Sequence, residues 1–133
     1  MNEYDGFEEI KKIYDSLPEE QKKLIAPRGR FVNSPFVAER VLSENKDGFA
    51  EAYDFGDNKG FVTIGVKPDS QGKGIGKEVL STLIQQAREN GKLKELVYRI
   101  AKDNEASKGL ISKFVEKPYK ITDEDLEYRI KLK

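Results

Sequence analysis

Apolar residues recur along this chain with two periods, and the change from one to the other marks out the elements. Phe7, Ile10, Ile13, Tyr14 and Leu17 fall at helical spacing, which predicts an amphipathic helix over 3–16. Ser16 and Glu19 have the form of a capping box, with Pro18 near the first turn. A short second helix over 18–25 is therefore expected, ending before Pro27, and Arg28 to Pro35 reads as a loop. Val37–Ser43 and Phe49–Phe55 read as strands, joined by the turn signal Asn45-Lys-Asp-Gly48. A second turn, Gly56-Asp-Asn-Lys-Gly60, leads into the apolar, β-branched run Phe61–Val66, which suits a central strand. Residues 37–66 thus read as an antiparallel meander of three strands.

Beyond Val66 the texture changes. Lys67 to Gly74 is a loop, and then Ile75, Val79, Leu80, Leu83, Ile84 and Ala87 form one apolar helical face that Gly91 is placed to stop. Leu96–Ile100 reads as a strand and Asn104 to Phe114 as a helix. In the tail, Leu126, Tyr128, Ile130 and Leu132 alternate with charges, and residues 119–122 are expected to pair with them as a hairpin across Asp123-Glu-Asp125. This order predicts an α/β fold, a mixed sheet packed by helices, in a single domain over 1–133.

Composition narrows the chemistry. The 133 residues contain neither cysteine nor histidine, which removes thiolate nucleophiles, disulfides, the usual zinc ligands and the usual general base near neutral pH. No metal site is expected. Lysine plus arginine equals aspartate plus glutamate at 24 each, so there is no electrostatic reason to expect a nucleic-acid or membrane-surface partner. The acidic start and the lack of a long apolar run suggest neither a signal peptide nor a membrane span, so the expected compartment is cytoplasmic.

The segment richest in chemistry is Val66-Lys-Pro-Asp-Ser-Gln-Gly-Lys-Gly-Ile-Gly76. Glycines at 72, 74 and 76 stand directly before a strong helix. Glycine lets a backbone approach a ligand, and the first helical turn offers N–H groups with no intrahelical partner. With the helix dipole, and with Lys73 and Lys77 nearby, this makes an anion cradle suited to a pyrophosphate. A plain flexible connection is the alternative. A P-loop is ruled out because Lys73 is followed by Gly74 and Lys77 by Glu78; a dinucleotide fingerprint fails on its glycine spacing.

The residues that do fit a pattern are Val66-Lys-Pro68, then Gln71-Gly-Lys-Gly74-Ile-Gly76, then the strand Leu96–Ile100 followed by Asn104, Ser107 and Leu110. This arrangement resembles the GNAT acetyltransferase superfamily over roughly 37–114. The resemblance implies an acyl-CoA N-acyltransferase fold, with acetyl-CoA or another acyl-CoA as co-substrate. It implies that the backbone of Ile64, Gly65 and Val66 holds the pantetheine arm. The amides of Gln71, Gly72, Lys73, Gly74, Ile75, Gly76 and Lys77 would bind the pyrophosphate. Asn104 would reach the pantetheine arm, act as a helix N-cap, or both. The reaction implied is direct attack of a primary amine, from a small molecule, a lysine or an N-terminus, with the Val66 amide as oxyanion donor. Dimers are common in the family, so a homodimer is an open expectation.

The sequence also departs from the family. Ile111 stands where many members carry a tyrosine acid seven residues after the asparagine; Tyr119 or Ser112 are the substitutes. Gly60-Phe-Val-Thr63 carries no carboxylate where some members place a base. Glu51 on the neighbouring strand is then the candidate, against a reading in which it lies on a solvated face, with Tyr53 and Tyr98 behind it. The family's usual first strand is missing or is replaced by Arg30–Asn33. Arg28, Arg30 and Arg40 are candidates to meet an anionic acceptor. These departures leave two rivals to an enzyme: an acyl-CoA-binding module without catalysis, and a scaffold without the cofactor.

Overall fold

The computed structural model describes residues 3–19, 22 and 36–132, with no account of the side chains of residues 3–7. Helix α1 (Glu3–Ser16) is followed by the meander β1 (Val37–Leu42), β2 (Gly48–Asp54) and β3 (Lys59–Val66). Helix α2 (Ile75–Asn90), β4 (Glu95–Ala101), α3 (Glu105–Ile111), β5 (Lys120–Ile121) and β6 (Asp125–Lys131) complete the order. The strands form one mixed sheet in the order β1-β2-β3-β4-β6-β5. Among the described strands only β3 and β4 run parallel, which is why a whole helix, α2, has to connect them.

Strand alternation divides the core between the two faces of the sheet. On one face, Val79, Leu80, Leu83, Ile84 and Ala87 of α2 pack on Ala50, Ala52, Val62, Leu96, Tyr98 and Ile130. On the other, Ile10, Ile13 and Leu17 meet Phe49 and Tyr53. Gly65 is needed on that second face, because a Cβ there would lie 2.4 Å from the Phe49 ring.

The expected elements recur with small shifts. The helix expected to run to Phe114 ends at Ile111, and its last turns tighten: Lys113 N–H bonds Leu110 O and Phe114 N–H bonds Ile111 O. Gly91 stops α2 in a left-handed conformation, its N–H on Ala87 O. The Ser16 hydroxyl donates to the Ile13 carbonyl at 2.6 Å, so its described bond closes α1. The remainder of the second helix expected over 18–25, the loop from Arg28 to Pro35 and the Arg30–Asn33 segment lie outside the described residues. No helix among the described residues is long and apolar enough to cross a membrane.

Candidate active site

The sheet is open at its centre. β3 runs to Val66 and β4 to Ala101, yet their pairing stops at Phe61 opposite Val97. Beyond that point the strands part. The N–H of Lys67 bonds Asp47 O on the β2 side at 2.8 Å. Backbone direction alternates along a strand, so the N–H and C=O groups of Ile64 and Val66 face the opposite way, into the gap. The Gln71 amide donates to Val66 O at 3.3 Å and ties the loop to the strand's end.

The gap leads to the glycine loop. A single 3-10 turn, Pro68–Ser70, precedes Gly72 and Gly74, which take φ of 82° and 84°. Such values suit glycine and few other residues. A Cβ at either position would meet nothing within 4 Å, so the loop faces open space. The first helical bond runs from Glu78 N–H to Gly74 O. The N–H groups of Gly74, Ile75, Gly76 and Lys77 therefore have no intrahelical partner. Lys73 and Lys77 are exposed beside them, while the Ile75 side chain is buried and anchors the turn. The cradle is also braced from the β1–β2 turn. Asp47 accepts from the Ser70 hydroxyl at 2.6 Å and pairs with Lys67 at 3.5 Å, and Glu78 accepts from Glu44 N–H at 2.8 Å. The Ser70 hydroxyl above all, and then Lys67, hold the Asp47 carboxyl below its usual range.

Asn104 caps α3, its side-chain oxygen accepting from Ser107 N–H at 3.1 Å. The N-cap role is therefore present, and it leaves the amide nitrogen outside that bond. The Ser107 hydroxyl also receives the Tyr98 hydroxyl at 3.2 Å, and burial pushes the Tyr98 phenol up. Asn104→Ala is expected to lower stability by about 1 kcal/mol through the cap alone; urea unfolding measures it, and a change below a few tenths would remove the capping role.

Glu51 is not on a solvated face. It is fully buried on β2, accepting from Arg40 Nε at 2.7 Å and from the Tyr53 hydroxyl at 3.2 Å. Burial raises its carboxyl above the usual range despite Arg40. Burial and the nearby Glu51 charge push the Tyr53 phenol up as well. Tyr119 stands elsewhere, exposed before β5 with the Arg129 guanidinium 3.8 Å over its ring. Strands β3, β4 and β6 lie between it and Glu51, so the two expected catalytic residues are not brought together. Ile111 is fully buried in the α2-side core, and the Ser112 hydroxyl donates to Gly109 O. Arg28 and Arg30 lie outside the described residues. One residue that the sequence does not single out is Thr63, whose hydroxyl oxygen is buried with no hydrogen-bond partner among the described residues. In sequence it reads as an ordinary β-branched strand residue; only its register beside Glu51 marks it out.

Residues 6–114 match the model of the acetyltransferase (GNAT) family. The chain belongs to the GNAT acetyltransferase family. Among proteins of curated function, no sequence matches it. Of similar solved structures, the N-acetyltransferase of Staphylococcus aureus Mu50 is 30% identical with a TM-score of 0.55, over 65% of this chain and 61% of that one. The Salmonella typhimurium protein yncA, designated an acetyltransferase and solved with its cofactor acetyl-CoA, is 24% identical with a TM-score of 0.55, over 65% and 58%. A protein designated a phosphinothricin N-acetyltransferase shares the fold across 100% of this chain and 96% of its own, at 18% identity and a TM-score of 0.68. The chain spans about three fifths of the length of the first two. The mixed six-stranded sheet matches the fold of these GNAT neighbours. Among the described residues, no group of histidine, cysteine, aspartate or glutamate side chains is gathered as a metal ion would require.

Proposed function

We propose that this protein is an N-acyltransferase that moves an acetyl or other acyl group from coenzyme A to a primary amine by direct attack. One observation carries the reading: the β3–β4 gap, edged by the gap-facing backbone of Ile64 and the Val66 N–H, ends at four N–H groups without intrahelical partners. A diphosphate fits those donors and the helix dipole, and an extended amide-bearing arm fits a strand edge. Gln71 to Lys77 would hold the diphosphate, Ile64 to Val66 the arm, and Asn104 the arm's other side through its remaining amide. Acyl-CoA supplies an activated thioester.

The chain supplies the rest. Glu51 is the proposed proton acceptor, with Arg40 and Tyr53 fixing its carboxylate. The Val66 amide is the proposed donor to the oxyanion that forms on attack. A leaving thiolate has an ordinary pKa of about 8.5 and departs without a dedicated acid, so the reaction does not depend on Tyr119. The acceptor is a small amine, a lysine or an N-terminus, and the cytoplasm is the proposed compartment.

A second reading, an acyl-CoA-binding module without catalysis, is favoured by Ile111, which is buried in the core where the resemblance places a tyrosine acid. Melting with and without acetyl-CoA tests what both share. At a hundredfold excess over its dissociation constant the ligand adds about 2.7 kcal/mol, which raises Tm by about 5–15 °C. No shift at millimolar ligand would sink both readings. A shift without amine-dependent thiol release would leave the second.

A further inference from the structure

The turn between β1 and β2 grips the glycine loop from behind. Three contacts of residues 67–70 end on one residue of that turn, Asp47. The Ser70 hydroxyl donates to an Asp47 carboxylate oxygen at 2.6 Å, and the Lys67 N–H donates to the Asp47 carbonyl at 2.8 Å. Lys67 Nζ pairs with the other carboxylate oxygen at 3.5 Å. Ser70 is buried at the base of the loop. Asp47 is itself held. Its N–H donates to Ser43 Oγ and to Asn45 Oδ1, both at 3.1 Å. The Ser43 hydroxyl also accepts from Gly48 N–H and donates to Asn45 Oδ1, both at 2.9 Å. The same turn lies tight on the head of α2. A Cβ at Gly48 would come within 2.4 Å of the Ile75 side chain, and Glu44 N–H donates to Glu78 at 2.8 Å.

Two properties of the loop give this grip a purpose. Gly72 and Gly74 take left-handed conformations with nothing near a Cβ, so packing at those positions does not fix the backbone. A glycine backbone that a ligand must order loses much entropy on binding, and affinity falls by that loss. Charge points the same way. The Ser70 bond, then Lys67 and Lys73, hold the Asp47 carboxyl below its usual range, so a carboxylate stands near a lysine of the anion cradle. Its negative charge opposes an anionic ligand there. What explains a carboxylate in that place is the set of bonds it makes to the loop.

We propose that Asp47 is the positioning residue of the diphosphate cradle: through Ser70 and Lys67 it presets the loop that carries Gly72 and Gly74. This rests on the reading of that loop as the acyl-CoA cradle. Asp47 acts through the loop rather than on the ligand, by fixing beforehand what binding would otherwise have to order.

The test is calorimetric titration of acetyl-CoA into wild type, Asp47→Ala, Asp47→Asn, Ser70→Ala and the double variant Asp47→Ala with Ser70→Ala. Asp47→Ala is expected to raise Kd by about tenfold. Its ligand-free Tm should fall by no more than about 5 °C, since the contact is partly exposed. Asp47→Asn can still accept from the Ser70 hydroxyl and drops the opposing charge, so it should bind within about twofold of wild type or tighter. Ser70→Ala should match Asp47→Ala, and the double variant should be no weaker than either, because both remove the same bond. Four results would overturn the assignment: a wild-type Kd in Asp47→Ala, an asparagine variant as weak as the alanine one, losses that add in the double variant, or an Asp47→Ala protein that fails to fold. Wild type that binds no acetyl-CoA at millimolar concentration would instead remove the cradle reading beneath it.

Discussion

Gly74→Val is expected to abolish acetyl-CoA binding while leaving the protein folded. Gly74 holds φ 84° and ψ 8° at the head of α2. A β-branched residue held there carries strain of about 1–3 kcal/mol. A Cβ would meet nothing within 4 Å, so the strain is in the backbone and cannot be relieved by moving a neighbour. Relief comes from rotating the peptides on either side, which turns the first-turn N–H groups away from a common point. Each hydrogen bond to a charged partner is worth about 1.5–3 kcal/mol, so losing two weakens binding by at least about a hundredfold. The same strain is a modest share of a stability of about 5–15 kcal/mol, so the fold survives. Melting curves with and without acetyl-CoA measure both effects. A normal ligand-induced shift in this variant would take the diphosphate away from the glycine loop.

Glu51→Gln is expected to lower neutral-pH turnover by about a hundredfold without lowering stability. The amide keeps the shape and removes the charge. Burial lifts the Glu51 carboxyl above 4.5, its ordinary value, more than Arg40 pulls it down. The sign follows from linkage. A folded state that holds this proton more tightly than the unfolded chain gains stability below the unfolded pKa and loses it as pH rises through the folded one. A glutamine, which never ionises, has nothing to lose. Near pH 4 the variant and wild type should therefore melt alike, and toward neutrality the variant should melt at the same temperature or higher. Turnover should recover at high pH, where an unprotonated amine needs no base. Unchanged turnover at all pH values would exclude Glu51 from the chemistry, and a large fall in Tm at neutral pH would mean that the Arg40–Glu51 pair is kept for stability.

Much of this was legible in the residues. The period-2 runs of the meander and the apolar stripe of α2 report burial directly, and burial is what a sheet face and a helix stripe encode. The glycine loop was legible for a different reason: left-handed backbone beside open space leaves a mark in residue type. What stayed hidden depended on pairing between distant segments. Arg40 and Glu51 are eleven residues apart and meet only because the β1–β2 register aligns them. The parting of β3 from β4 has no residue of its own, since it is a pairing that stops. Tyr119 follows α3 closely in sequence, but β5 docks at the far edge of the sheet and carries it away from Glu51.

The short parallel ladder has one mechanical consequence. Past Phe61 and Val97 the two halves of the sheet are joined by side chains of the α2-side core rather than by backbone hydrogen bonds. Hydrogen bonds are directional and resist being sheared, whereas packed methyl groups tolerate small sliding. The seam is thus the compliant part of a stiff molecule, and it yields along the line by which the proposed acyl-CoA would enter.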